Sequence, residues 1–231
     1  MKGIAAAAEA YGAPFVSGKD SFYNYFETDE GPVSIPTTIL ISGMGVVESI
    51  DHVRGSSIRR DDSILAVVGT TTSELGGSVF ARQSDLENAE VPPTDFASAM
   101  EIYRRFHKAA ESGLILSGHD VSEGGLAVTL AEMGFSGKAG VEVDLAALPT
   151  NGEMDKASML FGESPSRLVL EIAPENLEKV ADLFEGVPFG AIGRTTTDTD
   201  VLRIEWGKEM LVTESLSDLK AIWKNGLAQY Y

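Results

Sequence analysis

One segment, from Leu114 to Phe135, most constrains the fold of this chain. A short apolar run, Leu114–Leu116, precedes the polar, glycine-rich stretch from Gly118 to Gly125, and an amphipathic pattern follows from Leu126 to Phe135. Short apolar runs are typical of buried strands, and apolar residues spaced three or four apart are typical of helices. The segment therefore predicts a strand, a turn and a helix in succession.

The rest of the chain also alternates between helical and strand patterns, but the connections vary and hairpin-like pairs occur near residues 200–212. This arrangement favours an α+β fold, with a mixed sheet packed with helices, over a doubly wound parallel sheet. The buried-strand pattern Ser63–Val68 predicts a domain boundary near residue 60. The apolar run Thr38–Val47 predicts a further strand upstream of that boundary.

Composition limits the classes of function. The chain has 231 residues, of which 43% are hydrophobic, so it can form a substantial core. No apolar run approaches the ~18 residues of a membrane-spanning helix, and there is no export signal, so cytoplasm is the predicted location. The absence of cysteine excludes disulfides and thiol chemistry. A net charge of −17 disfavours binding to nucleic acid or to an anionic membrane.

The glycine-rich turn in the central segment predicts an anion site. Such a turn directs backbone N–H groups and the positive end of the following helix towards one point, where a phosphate can bind. Asp120 beside a phosphate predicts Mg2+, and Ser122 can contact the same ligand. The alternative is a polar turn whose groups are satisfied within the protein, with His119 hydrogen-bonded to the backbone.

A second candidate site is Ser17-Gly18-Lys19-Asp20-Ser21. Lysine can neutralise phosphate oxygens, aspartate can hold Mg2+ and serine can donate to a phosphate or substrate oxygen. The alternative is a polar turn with a surface salt bridge. The spacing differs from that of a Walker A loop.

Two further patterns have structural alternatives. In the turn from Gly162 to Arg167, Ser164 and Arg167 could bind phosphate, or Arg167 could pair with Glu163. Four residues at helical spacing predict core packing; they are Phe96, Met100, Tyr103 and Phe106.

Four motifs together resemble the phosphoribosylformylglycinamidine synthase family. In order along the chain they are Val16-Ser17-Gly18-Lys19-Asp20-Ser21-Phe22-Tyr23-Asn24, Ile35 to Gly45, His119 to Ala127, and Phe161-Gly162-Glu163-Ser164. Each motif alone is modest, but the ordered set covers nearly the whole chain. The wider superfamily includes aminoimidazole ribonucleotide synthetase, selenophosphate synthetase and thiamine-monophosphate kinase.

The resemblance implies an ATP-dependent ligase of purine biosynthesis. Members have two tandem copies of a two-domain unit, and this chain is similar to the later portion: residues 1–60 to part of the second N-terminal-type domain, and residues 61–231 to the second C-terminal-type domain. The family enzyme uses ATP and Mg2+ to phosphorylate the formamide oxygen of formylglycinamide ribonucleotide, and ammonia from a glutaminase subunit or domain then displaces phosphate. The implied partners are the N-terminal half and the glutaminase, without which this chain is expected to be inactive.

The resemblance also implies individual contacts. Gly18 corresponds to an ATP contact and Ser21 to a substrate contact. Lys19 stands where many short members have a Mg2+-binding asparagine; since lysine does not bind Mg2+, Asp20 is expected to hold the metal. Asp120 and Ser122 match the Mg2+ and nucleotide contacts of an auxiliary site in long members.

Two alternative functions remain open. The chain could be a structural module in which Asp120 and Ser122 hold ADP–Mg2+ without reaction. It could also be a related ATP-dependent kinase, although the upstream aspartate-rich ATP motif of such a kinase is not present in this sequence.

Overall fold

The structure is a computed structural model that describes residues 2–19, 24–36, 38–87, 89–226 and 228. Two compact units follow each other along the chain: unit one is Met1–Ile50 and unit two is Asp51–Tyr231. Each unit is described by itself below.

Unit one begins with helix α1, Lys2–Tyr11, formed by an alanine-rich sequence that favours helix. Gly12 has a φ of +61°, and the backbone N–H of Ala13 bonds to the carbonyl of Ala8, which closes the last turn. Strands β1, Tyr25–Thr28, and β2, Gly31–Ser34, then form an antiparallel hairpin. The polar segment from Glu27 to Pro36 thus includes the end of β1, the hairpin turn and β2.

The strand predicted over Thr38–Val47 is wrong. Residues 38–47 have neither helical nor strand hydrogen bonding, and their large apolar side chains are exposed. Leu40 retains 89% of its accessible surface and Met44 retains 100%. An apolar run forms a strand only where a neighbouring strand satisfies its backbone, and no such neighbour lies among the described residues of unit one.

Unit two contains one mixed sheet, as predicted. Among its described residues the strands are β3 (Ile64–Val68), β4 (Ile115–Asp120), β5 (Gly140–Asp144), β6 (Leu168–Ile172), β7 (Phe189–Thr196), β8 (Val201–Trp206) and β9 (Glu209–Ser215). Their spatial order is β4-β6-β3-β7-β5-β8-β9. The β5–β8 pair is parallel and the other pairs are antiparallel.

Helices cover both faces of this sheet. They are α2 (Val79–Gln83), α3 (Phe96–Glu111), α4 (Gly125–Ser136), α5 (Lys156–Phe161), α6 (Leu177–Leu183) and α7 (Leu216–Asn225). α4 packs between α5, α7 and the sheet, while α3 and α6 pack together on the other face.

Strand β3 divides the two cores. Leu65 and Val67 belong to the core cluster under α4, whereas Ala66 and Val68 belong to the cluster under α3 and α6. Successive side chains of a strand point to opposite faces, so a central strand covered on both sides is apolar throughout. This arrangement explains the continuous apolar pattern over residues 64–68.

The first residues of unit two are attached to the sheet by a buried carboxylate. Glu171 on β6 is fully buried and accepts hydrogen bonds from the backbone N–H groups of Arg59 and Arg60 and from the hydroxyl of Ser117, at 2.6–3.2 Å. Arg54 donates to the carbonyl of Ile115 at 3.0 Å. These bonds hold residues 54–60 against β4 and β6.

None of the helices in the described part of the chain has the length and apolar content needed to cross a membrane.

Candidate functional site: the pocket at the end of strand β4

The central segment folds as a strand, a turn and a helix, as predicted, but its boundaries differ. β4 continues to Asp120, so Gly118, His119 and Asp120 belong to the strand, and the turn is confined to residues 121–124. Gly118 has its backbone N–H bonded to the carbonyl of Gly55 at 3.0 Å, which shields this edge strand.

Helix α4 is not amphipathic, contrary to the prediction. Eight of its residues are buried, and they surround most of its circumference: Gly125, Leu126, Ala127, Thr129, Leu130, Ala131, Met133 and Gly134. The helix is enclosed by α5, α7 and the sheet, and a helix that is apolar all round is characteristic of such a position.

The two glycines that open α4 are explained by the fold. Gly124 has a φ of +82° and Gly125 a φ of +70°, a region that residues with a side chain rarely adopt. A Cβ on Gly125 would lie 2.6 Å from the backbone of Phe161, and one on Gly124 would lie 2.5 Å from a methyl group of Val128. Close packing accounts for this pair without a ligand.

The backbone amides of Gly124 and Gly125 are already paired, which corrects the expectation that these two are available to a phosphate. The N–H of Gly124 donates to Glu163 Oε1 at 2.8 Å, and the N–H of Gly125 donates to the carbonyl of Ser122 at 3.0 Å. The N–H of Val79, the first residue of α2, donates to the same Glu163 oxygen at 2.8 Å. A carboxylate of the protein therefore occupies the place predicted for an anion.

Asp120 and Ser122 lie together at the rim of the site. The Ser122 hydroxyl donates to Asp120 Oδ2, and this bond holds the pKa of the carboxyl below its ordinary value, against the opposing effect of partial burial. His119 lowers the pKa further through its charge. The side chain of Asp120 is 66% exposed, so an ionised carboxylate faces solvent at the end of β4.

His119 has partners within the protein. Its Nδ1 lies 2.8 Å from the carbonyl oxygen of Asp120, and its Nε2 lies 3.2 Å from a carboxylate oxygen of Glu132 on α4. The imidazole therefore connects β4 to α4. The predicted hydrogen bond from His119 to the backbone is confirmed.

A pocket of about 410 Å³ opens between α3, the turn after β4 and the turn before β6. Its lining residues are Tyr103, Asp120, Val121, Ser122, Glu123, Glu163, Pro165, Ser166, Arg167 and Leu168. The volume lies within the range of small-molecule sites. Three lining carboxylates face one guanidinium, so the field in the pocket favours a cationic ligand or an anion that carries a metal ion.

Hydrogen bonds of the buried Arg167 hold the turn before β6, which forms one wall of the pocket. Arg167 is 1% exposed and donates to the carbonyls of Ser164 and Gly162 and to the hydroxyl of Thr71. Burial lowers the pKa of the guanidinium to about 10, and the charge of Glu163 partly offsets that shift. Arg167 is thus held by oxygen acceptors, and its pairing with Glu163 is an interaction of charges without a hydrogen bond between the two side chains.

Ser164 is also engaged within the protein. It is 1% exposed, and its hydroxyl accepts the backbone N–H of Thr72 at 3.0 Å and lies 3.1 Å from the Thr72 hydroxyl. The alternative in which Ser164 and Arg167 bind phosphate together is therefore not supported by their contacts.

The pocket residues suit Mg2+ only in combination with a phosphate ligand. Within the described ranges, no group of three or more histidine, cysteine, aspartate or glutamate side chains is placed to hold a metal ion. Mg2+ is commonly held by one or two carboxylates together with substrate phosphates and water, and Asp120 can supply one such carboxylate.

Tyr103 and Ser166 form the part of the pocket that sequence patterns missed. Helical spacing predicts Tyr103 in the core, and this prediction is wrong: Tyr103 is 39% exposed and its hydroxyl donates to Ser166 Oγ at 3.3 Å. Ser166 has a φ of +64°, a strained conformation for a residue other than glycine. The sequence did contain one indication of this position: the hydroxyl of a tyrosine at the edge of an apolar stripe needs a hydrogen-bond partner.

The other predicted site lies in unit one. Gly18 and Lys19 are exposed and belong to no helix or strand. A Cβ on Gly18 would meet no atom within 4 Å. Asp20 and Ser21, predicted as a metal ligand and a substrate contact, lie outside the described residues.

Comparison with known proteins gives the family. Residues 60–205 match the model of AIR synthase related protein, C-terminal domain. A phosphoribosylformylglycinamidine synthase subunit PurL from Thermococcus sibiricus is 34% identical over 225 residues, which are 97% of this chain and 30% of that protein. The subunit PurL from Lactobacillus helveticus is 33% identical over 227 residues, or 98% of this chain and 29% of that protein.

A solved structure of Thermotoga maritima PurL, in complex with FGAR, has a TM-score of 0.72 at 18% identity and covers 94% of this chain and 36% of that one. At this identity the likeness shows the fold. The chain spans about 30% of the length of the relatives it matches. The family match, which covers more than half of the residues, shows that the chain belongs to the AIR synthase related protein, C-terminal domain, family.

Proposed function

We propose that this chain is a portion of a phosphoribosylformylglycinamidine synthase, the ligase that converts formylglycinamide ribonucleotide, ATP and glutamine-derived ammonia to formylglycinamidine ribonucleotide, ADP and phosphate. The observation that carries the proposal is the alignment of 97–98% of the chain with subunits of that name. Residues 1–60 supply part of an N-terminal-type domain, and residues 61–231 supply a C-terminal-type domain.

We also propose that this chain catalyses the reaction only together with partner polypeptides. Because it spans about 30% of its relatives' length, the remaining N-terminal portion of a synthetase and a glutaminase would complete the enzyme. ATP, Mg2+, formylglycinamide ribonucleotide and ammonia given to the 231-residue chain should yield no ADP above the protein-free rate. Sustained turnover would contradict the claim of incompleteness.

In unit two, the pocket at the end of β4 is the proposed nucleotide site. Asp120 would hold Mg2+ and Ser122 would contact the nucleotide, so that bound ADP–Mg2+ acts as a structural tie. An ionised carboxylate at the rim and a volume of about 410 Å³ support this assignment. In unit one, Gly18, Lys19, Asp20 and Ser21 remain the proposed contacts for ATP, metal and substrate.

Calorimetry with ADP and Mg2+ tests the pocket. The wild-type chain should bind, and Asp120→Ala should weaken binding by about tenfold or more, because the loss of one charge-assisted contact is worth about 1.5–3 kcal/mol. Asp182→Ala, which removes an exposed aspartate from α6, is the matched control and should bind as the wild type does. Absence of binding by the wild type would refute the nucleotide site.

A further inference from the structure

Glu163 occupies an anion position built into the pocket wall. Its Oε1 accepts two backbone N–H groups at 2.8 Å each, one from Gly124 before α4 and one from Val79 at the start of α2. Two converging N–H donors are the arrangement by which backbone binds phosphate or carboxylate groups. Here the anion belongs to the protein and also lines the cavity.

The charge of Glu163 also acts on Arg167. The guanidinium is buried and held by protein oxygens, and the Glu163 charge raises its pKa against the effect of burial. The positive charge in the wall is therefore compensated inside the protein. What faces the cavity is the excess of carboxylate, with Asp120 and Glu123 at the rim.

We propose that Glu163 determines the ligand specificity of this pocket by acting as a resident anion. It compensates Arg167 and the two backbone donors, so a bare phosphate group gains little from them and is repelled by the carboxylates. A nucleotide phosphate then binds only with a divalent cation that Asp120 can share. This inference rests on the proposed nucleotide site and extends it to the metal requirement of that site.

The substitution Glu163→Gln isolates the charge. Glutamine has nearly the shape of glutamate and keeps one carbonyl oxygen that can accept the N–H groups of Gly124 and Val79. It removes the negative charge, which leaves Arg167 uncompensated beside the cavity. The variant should accept an anionic ligand without a metal ion.

The experiment compares binding of ADP in excess Mg2+ with binding of ADP in EDTA. The wild type should bind the metal complex and bind bare ADP at least about tenfold more weakly. Glu163→Gln should raise the affinity for bare ADP by about tenfold. The control is Glu123→Gln, which removes the same charge from an exposed position in the same pocket and should change that affinity by less than about threefold.

Equal effects of Glu163→Gln and Glu123→Gln, or no gain in either variant, would overturn the proposal. Glu163→Asp keeps the charge, so it should keep the metal requirement, and loss of that requirement would also overturn it. Thermal melting checks that each variant is folded. The outcomes separate the two proposals: wild-type binding of ADP–Mg2+ tests the nucleotide site, while the difference between the two glutamine variants in EDTA tests Glu163.

Discussion

Similar apolar segments are buried in unit two and exposed in unit one. In unit two, β3 is an unbroken apolar run in which Leu65, Val67 and Val68 are fully buried. In unit one, residues 38–47 include a comparable run, yet Leu40 is 89% exposed and no described residue of the unit is buried. Apolar content and β-propensity are therefore insufficient to form a strand.

The difference lies in the neighbours. β3 has β6 on one side and β7 on the other, and helices cover both of its faces. The backbone of β3 is hydrogen-bonded along both edges, and residues 65–68 are buried, so burial offsets the entropy of ordering the chain. The described part of unit one provides residues 38–47 with neither a paired strand nor a covering layer.

The largest expected effect comes from making the same substitution in both units. Leu130→Ala, in the core under α4, should lower the free energy of unfolding by about 2–5 kcal/mol, because it removes buried surface and leaves a cavity. Leu40→Ala should change it by less than about 0.5 kcal/mol. Urea unfolding followed by circular dichroism measures both. A comparable loss in Leu40→Ala would show that unit one buries this side chain in solution.

An intermediate effect is expected where unit two begins. Glu171→Gln should cost about 1.5–3 kcal/mol, since a buried carboxylate that accepts N–H groups of Arg59 and Arg60 loses its charge and one acceptor. Exchange of those two amides with deuterium should accelerate.

Glu142→Gln is the control for that substitution. Glu142 pairs with Arg203 at a partly exposed position, and such pairs contribute about 0–1 kcal/mol. Equal losses in the two variants would show that the buried hydrogen bonds of Glu171 do not determine how residues 59 and 60 are held.

The smallest effect is a difference in pH response between the helices of the two units. Asp95 caps α3; the Ser98 hydroxyl and backbone N–H lower its pKa. A depressed folded-state pKa stabilises the protein above the unfolded value of about 3.9, and this contribution is lost as the pH falls through the folded value. α1 has no acidic residue in its first turn, so its helicity should not share this dependence.

Melting of wild type and Asp95→Asn between pH 7 and pH 2 tests this difference. Asparagine also caps helices, so the variant should melt slightly below the wild type at pH 7, and the two should converge in acid. A constant difference at every pH would show that the charge of Asp95 contributes nothing to α3.

Sequence patterns correctly predicted the helices, strands and turns that are determined by residues close together in the chain. Helix α1 and its end at Gly12 follow from alanine propensity and a left-handed glycine. The succession of β4, turn and α4 follows from an apolar run, two glycines and helical spacing. The burial of α4 on most of its surface could not be predicted this way, because it depends on α5 and α7 packing from positions distant in sequence.

The candidate site shows the same limit. The sequence pattern predicted Asp120 and Ser122 in a turn between a strand and a helix, with a glycine pair where that helix begins, but it did not predict that β4 extends to Asp120. The partner of the Gly124 amide depends on how the chain packs, because Glu163 lies 39 residues further along the chain. A hydrogen bond requires its donor and acceptor to lie about 3 Å apart, and the packing of the sheet and helices determines which side chains come that close to a given backbone amide.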